Sequence, residues 1–184
     1  MSLRVISGRA KGRILKSVPS DTTRPITDRV KESLFNIIGA DVINSNWWDV
    51  FGGTGAVGIE ALSRGAVFCR FTDLNRVPIE TIKLNLTATG LAFRAEAKRA
   101  DAFSMLASYP DCSFHYIYIA PPQYQEMWSK ALIELDSNPE WLAEDGWAIT
   151  QIHPKEYKPL DMNGLVEFDQ RKYGSTLLVF YEHK

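Results

Sequence analysis

Long apolar runs are missing from this sequence: none approaches the roughly 20 residues that a bilayer-spanning helix needs, so no helical membrane anchor is expected. Cysteine is scarce. Cys69 and Cys112 lie far apart and fit neither metal nor redox spacing, and Cys69, inside an apolar run, reads as a small core residue. Histidine is scarcer than a metal site would want. His115 falls inside a strand pattern, where a core or edge role is the plainer reading, and His153 and His183 have no partner spacing. No metal is expected. The opening residues show no apolar h-region followed by a small-residue cleavage site, which argues against secretion and for a cytoplasmic address. A monomer is the default expectation.

Net charge is also nearly absent, at -1, but its distribution is uneven. Residues 1–31 hold eight basic side chains (Arg4, Arg9, Lys11, Arg13, Lys16, Arg24, Arg29, Lys31) against Asp21 and Asp28, a balance of +6 that leaves -7 for the other residues. A basic arm on an acidic body suits a polyanion, because each lysine or arginine on a phosphate releases condensed counterions. The plainer reading is a solvated charged hairpin. With 45% hydrophobic and 23% charged residues in a chain of 184, the composition is that of a globular domain with one sizeable core.

Strand-like alternation marks Arg4-Val5-Ile6-Ser7 and Arg13-Ile14-Leu15-Lys16 around a turn from Gly8 to Gly12, a hairpin pattern. A linker with Pro19 and Pro25 follows. Thr27 can then cap a helix running to Ile38, with Val30, Leu34, Ile37 and Ile38 at helical spacing and Gly39 as its stop. Residues 1–39 therefore read as a basic extension and 40–184 as the main domain. From Trp47 onward, short apolar strands alternate with helical stretches. Strands are expected at 48–51, 67–72, 94–99, 114–119 and 146–152, with helices through Val57–Leu62, over 76–89 and over 125–135. Two last strands, 165–171 and 176–181, meet at Tyr173-Gly174-Ser175. The pattern implies an α/β fold: a seven-stranded, mostly parallel sheet with helices on both faces and an antiparallel edge. The five tryptophans, Trp47, Trp48, Trp128, Trp141 and Trp147, read as core.

In open sheets of this kind, ligands sit beyond the carboxyl ends of the strands. Four segments would converge there. Asp49-Val50-Phe51-Gly52-Gly53-Thr54-Gly55 follows the first strand, where glycines let backbone approach a ligand and the next helix N-terminus favours an anionic group such as the carboxylate of S-adenosylmethionine (SAM). Asp73 ends the second strand, where a carboxylate can accept from both ribose hydroxyls. Asp101, after the third, is placed to meet an adenine amine, and Ala120-Pro121-Pro122-Gln123-Tyr124 follows the fourth. Singly, a glycine loop can be a tight turn and either aspartate a helix cap. Together they favour a nucleoside cofactor. Nicotinamide binding is the competitor, but the chain is short for a cofactor half plus a catalytic half. A double proline has no role in hydride transfer. It can aim backbone carbonyls at an amine while Tyr124 stacks on a base.

The sequence resembles a known family. Thr23-Arg24-Pro25-Ile26-Thr27-Asp28-Arg29-Val30-Lys31-Glu32-Ser33-Leu34-Phe35-Asn36 looks like the signature of the RsmD-type 16S rRNA (guanine-N2)-methyltransferases, class I SAM-dependent enzymes. Arg4-Val5-Ile6-Ser7-Gly8, Lys11-Gly12-Arg13, Gly58-Ile59-Glu60-Ala61-Leu62-Ser63-Arg64-Gly65-Ala66 and Arg171-Lys172-Tyr173-Gly174-Ser175-Thr176 are similar to other parts of the same family. The likeness covers almost the whole chain. It implies a bacterial source, SAM as methyl donor, and methylation of one guanine in small-subunit rRNA. It also implies a cofactor pocket of Asp49, Gly52, Gly53, Gly55, Asp73 and Asp101, to which their neighbours Phe51, Thr54, Leu74 and Ala102 belong. Arg4, Arg9, Lys11, Arg13, Arg24 and Arg29 would hold RNA, on free rRNA or on the small ribosomal subunit.

One departure matters. The family's fourth motif starts with Asp or Asn, then two prolines and an aromatic; here Ala120 takes the first place and Gln123 the aromatic's, with Tyr124 one residue later. Either the Gln123 amide oxygen, or a backbone carbonyl at Ala120 or Pro121, replaces the missing acceptor, or the chain binds SAM and RNA as a non-catalytic assembly module. A small-molecule methyltransferase on the same sheet is a third reading.

Overall fold

The computed structural model describes residues 3–19 and 26–184. The basic segment opens with an antiparallel loop: Val5 N–H donates to the Arg13 carbonyl and Leu15 N–H to that of Leu3, around turns with Gly8 and Gly12 at positive φ. Among the described residues the segment forms one isolated antiparallel bridge, Arg4 to Ile14, and no ladder, so the expected hairpin strands shorten to a single rung. The alternation is real, but here it buries Val5 and Leu15 rather than building a ribbon. Helix α1, Asp28–Ile38, begins where Thr27 Oγ1 accepts from the Val30 N–H and stops at Gly39, as the caps predict.

The chain continues through β1 (Asn46–Asp49), α2 (Ala56–Arg64), β2 (Phe68–Asp73), α3 (Arg76–Thr89), β3 (Ala95–Arg99), α4 (Ala102–Leu106), β4 (Phe114–Ile119), α5 (Met127–Ser137), β5 (Leu142–Ile152), β6 (Leu165–Tyr173) and β7 (Thr176–His183). The strand order is β3-β2-β1-β4-β5-β7-β6, with β7 antiparallel to both of its neighbours and the other pairings parallel. Alternation along each strand sorts the core into two layers. Trp47, Phe71, Tyr116 and Tyr118 face α1, α2 and α3, whereas Trp48, Ile117 and Ile119 face α4 and α5. Trp47, Trp48, Trp128 and Trp141 are fully buried and Trp147 partly so, packed on Phe168 and Phe180.

Several boundaries differ from expectation by a residue or more, and three of them bear on the site. β1 ends at Asp49 rather than residue 51: Val50 still donates to the Tyr118 carbonyl, but the chain then turns into the glycine loop. α5 starts at Met127 rather than 125, because Tyr124 and Glu126 adopt left-handed backbone (φ 62° and 53°). β5 begins at Leu142 rather than 146, since the Leu142–Asp145 stretch pairs with β4 through a register shift instead of forming a connection.

The basic segment is clamped to α2 by Glu60. This buried carboxylate accepts from the Ile6 and Ser7 N–H groups at 2.8 and 2.9 Å and pairs with Arg64 at 2.8 Å and Lys31 at 3.3 Å. Lys31, one of the cations of the basic arm, is therefore an interior residue; burial lowers its pKa and outweighs the raising effect of Glu60. Gly8 closes against the end of α2, where a Cβ would meet the Ser63 carbonyl oxygen at 1.9 Å. Arg9, Lys11, Arg13 and Arg29 are solvent-facing to differing degrees, and Arg4 pairs with Asp28 at 2.9 Å. Arg24 lies outside the described residues.

Candidate active site

Parallel pairing carries the carboxyl ends of β1, β2, β3, β4 and β5 to one sheet edge, and two adjoining cavities open there. The larger, about 490 Å³, falls within the roughly 300–1,000 Å³ of small-molecule sites. Its lining includes Phe51, Gly53, Asp73, Leu74, Asp101, Ala102, Ala120 and Pro122, all anticipated from sequence, together with Val18, Pro19 and Phe103, which were not. The smaller, about 90 Å³, takes in Asp49, Phe51, Gly52, Gly53, Thr54, Ala120, Pro121, Pro122 and Gln123. Phe51, Gly53, Ala120 and Pro122 belong to both and form the neck between them.

The backbone of the glycine loop is set by its surroundings. Gly52 passes so close to Ile82 that a Cβ would meet its Cδ1 at 2.7 Å, and Gly52 N–H donates to the Thr72 carbonyl at 2.7 Å. Gly53 has φ +53°, and a Cβ there would meet nothing nearer than 3.9 Å; it would project into free space at the neck. Gly55 lines neither cavity. It is the left-handed N-cap of α2, packed on Ile59, Phe71 and Ile82.

Each acidic residue at the edge is held differently. Asp73 Oδ2 accepts from Gly53 N–H at 3.2 Å and Oδ1 from Asn75 N–H at 2.9 Å, which ties the β2 end to the glycine loop and leaves a lone pair on each oxygen. Asp101 is in fact a helix cap, accepting from Ser104 N–H at 2.7 Å at the start of α4, as well as a wall of the larger cavity. Asp49 is buried; loss of water pushes its pKa up to about 8, against the lowering effect of the Gly58 N–H that it accepts, with Asp73 adding a repulsive push.

Beyond β4, the double-proline corner is braced from β5. Glu156 Oε1 accepts from Tyr124 N–H at 2.7 Å and Oε2 from His153 N–H at 3.1 Å, so one carboxylate joins the two loops. The Tyr124 ring, 65% exposed, lies 5.6 Å from that of His153. Tyr124 is thus outside both linings and presents an open face at the rim. His153, Glu156 and Gln151, which lines the smaller cavity, are not marked by the sequence motifs. The available signal was the parallel order itself, which sends a fifth loop to the same edge.

The lining fits a nucleoside-bearing methyl donor: an open backbone cradle at Gly53, an apolar slot beside Phe103 and Pro78, and two carboxylates at its ends. Among the described residues no group of three or more His, Cys, Asp or Glu could hold a metal ion, and no helix is long and apolar enough to cross a membrane.

A family model described as "Conserved hypothetical protein 95" matches residues 3–182. YlbH of Bacillus subtilis, assigned as an rRNA methyltransferase, is 40% identical over 185 residues, covering 99% of this chain and 100% of the relative. Ribosomal RNA small subunit methyltransferase D of Escherichia coli strain K12 is 33% identical over 143 residues, 78% of this chain and 71% of that protein. The solved structure of Escherichia coli yhhF, assigned as a methyltransferase, matches with a TM-score of 0.87 at 27% identity and covers 100% of this chain and 99% of its own. Sheet order, loop placement and both kinds of relative agree: the fold is that of the class I methyltransferases, and the chain belongs to the ribosomal RNA small subunit methyltransferase D family.

Proposed function

We propose that this protein transfers a methyl group from SAM to the exocyclic N2 of a guanine in small-subunit (16S) rRNA. The observation that carries the reading is the shared neck. A cavity sized for an adenosyl group meets a second, smaller one at Gly53 and Ala120–Pro122, so a donor in the first presents its reactive end to a base edge in the second. When bound, SAM supplies an activated methyl on a good leaving group, which leaves the protein chiefly the task of alignment.

Its residues suit that task. Asp73 and Asp101 would hold the ribose and adenine, Gly52 and Gly53 would admit the amino-acid end, and Phe51 and Leu74 would flank the ring. Pro121 and Pro122 stiffen the corner whose carbonyls accept from the amine, and Tyr124, braced by Glu156, offers a stacking face to a base turned out of its helix. Residues 1–39 would act as the RNA-binding extension through Arg4, Arg9, Lys11, Arg13, Arg24 and Arg29. The relatives' names, ribosomal RNA small subunit methyltransferase D among them, support RNA as the acceptor.

Incubation with labelled SAM and either naked 16S rRNA or immature small-subunit particles tests the proposal, with nucleoside analysis identifying the product. N2-methylguanosine is expected. A second reading, a non-catalytic assembly module, rests on Ala120 alone; tight SAM binding with no incorporation into any rRNA form would favour it.

A further inference from the structure

We propose that Gln151 is the side-chain acceptor that orients the target amine, filling the role that Ala120 cannot. This rests on the methyl-transfer reading above. Ile119 pairs with Thr150 in the parallel β4–β5 ladder, so the next step along sets Gln151 beside Ala120. All three of Tyr118, Ala120 and Gln151 line the smaller cavity. The space that a longer residue 120 would use is therefore bordered by an amide from the neighbouring strand.

That amide is held in one orientation. The Tyr118 hydroxyl donates to Gln151 Oε1 at 2.5 Å, and Tyr118 is only 3% exposed. Burial pushes the Tyr118 pKa well above its usual value, so the hydroxyl keeps the proton that it donates. A carbonyl oxygen has two lone pairs, and Oε1 retains one for an N–H in the cavity. Competing acceptors are worse placed. Asp49 takes the Gly58 N–H and is largely uncharged at neutral pH. Gln123 sits in the loop beyond the two prolines, whereas Gln151 belongs to a strand, where position is held more closely.

In the transfer, one amine hydrogen bonds to Gln151 Oε1 and the other to a corner carbonyl, which turns the nitrogen lone pair toward the donor. The nitrogen–carbon bond forms as the carbon–sulfur bond breaks, its electron pair goes to sulfur, and one amine proton leaves to water. A neutral amide acceptor does this without a titrating group.

Three proteins test the assignment: wild type, Gln151→Met, which keeps length but removes the acceptor, and Ala120→Asn/Gln151→Met. Methyl incorporation into 16S rRNA is measured beside calorimetric binding of S-adenosylhomocysteine. Gln151→Met is expected to lower kcat by on the order of 10- to 100-fold, the cost of an unpaired polar hydrogen, with S-adenosylhomocysteine affinity within about threefold. The asparagine at 120 is expected to restore at least about tenfold, a rescue that a merely structural glutamine would not allow. Unchanged kcat in Gln151→Met, equal loss of product binding, or no rescue would overturn the assignment while leaving the methyltransferase reading intact. A wild type that methylates no form of rRNA would overturn both.

Discussion

The larger and smaller cavities share a neck yet are held by different means. Around the larger one, the acidic residues are fixed by backbone: Asp73 by Gly53 and Asn75, Asp101 by Ser104. Around the smaller one, the wall depends on a side chain reaching across strands, with Tyr118 fixing Gln151, while Ile26 closes one flank and, at the rim outside the lining, Glu156 braces Tyr124. The contrast is between a pocket built by local turns and one built by sheet register. Under the proposed function, the first would take the nucleoside of the donor and the second the acceptor base.

The largest expected effect comes from removing what both cavities share, the clamp on the N-terminal segment whose Val18, Pro19 and Ile26 flank them. Glu60→Ala strands Lys31 in the interior and should cost about 3–5 kcal/mol in denaturant unfolding. A paired Lys31→Met/Glu60→Met change should recover the part of that loss that comes from the stranded Lys31 charge, while Arg64 and the Ile6 and Ser7 N–H groups stay without their acceptor. Recovery would show that the clamp fixes position more than it adds stability.

Next in size, Asp73→Ala should separate the cavities functionally. Calorimetry should show S-adenosylhomocysteine affinity falling roughly 10- to 100-fold, the scale of lost charged hydrogen bonds, with RNA affinity in a filter assay unchanged. Equal weakening of both ligands would mean that the pockets do not work separately.

Asp49, at the smaller cavity, sharpens the comparison through pH. Its folded-state pKa is raised to about 8, so the folded protein holds this proton more tightly than the unfolded chain. Stability from this group is full below the ordinary carboxylate range, falls as pH rises, and levels off above about 8. Between pH 6 and 9 the loss should be on the order of 2 kcal/mol, and Asp49→Asn should flatten that stretch of the thermal melting profile. A wild-type curve already flat there would contradict the assignment of a buried, protonated carboxyl.

Smaller effects belong to the RNA side. Tyr124→Ala should raise KM for rRNA by about 5- to 100-fold, the range for loss of one stacked base, without changing product binding. Changing Arg9, Lys11 and Arg13 to glutamine should weaken RNA binding modestly. The salt slope should become shallower by roughly one for each phosphate that these side chains no longer neutralise.

The larger cavity is the more legible one because its parts are punctuation. Glycines after a strand, an aspartate at a strand end and a capping aspartate each have local meaning, so Asp73 and Asp101 could be placed from neighbours alone. The end of helix α3 is legible for the same reason, stopped by a left-handed Gly90. Gln151 and Glu156 carry no such local mark; their partners, Tyr118 and Tyr124, are 33 and 32 residues away and meet them only through the β4–β5 pairing. Lys31 reads as one more surface cation because helical periodicity shows which face a residue occupies, not that Glu60 waits beneath it. The left-handed Tyr124 and Glu126 are equally hidden, since neither is glycine or asparagine.

The central claim, one site made from two cavities joined at Gly53 and Ala120–Pro122, is tested most directly by a crystal structure with S-adenosylhomocysteine. The adenosine should fill the larger cavity between Asp73 and Asp101, with the sulfur at the neck facing the smaller one. A sulfur turned away from Ala120–Pro122, or a ligand seated elsewhere, would contradict it.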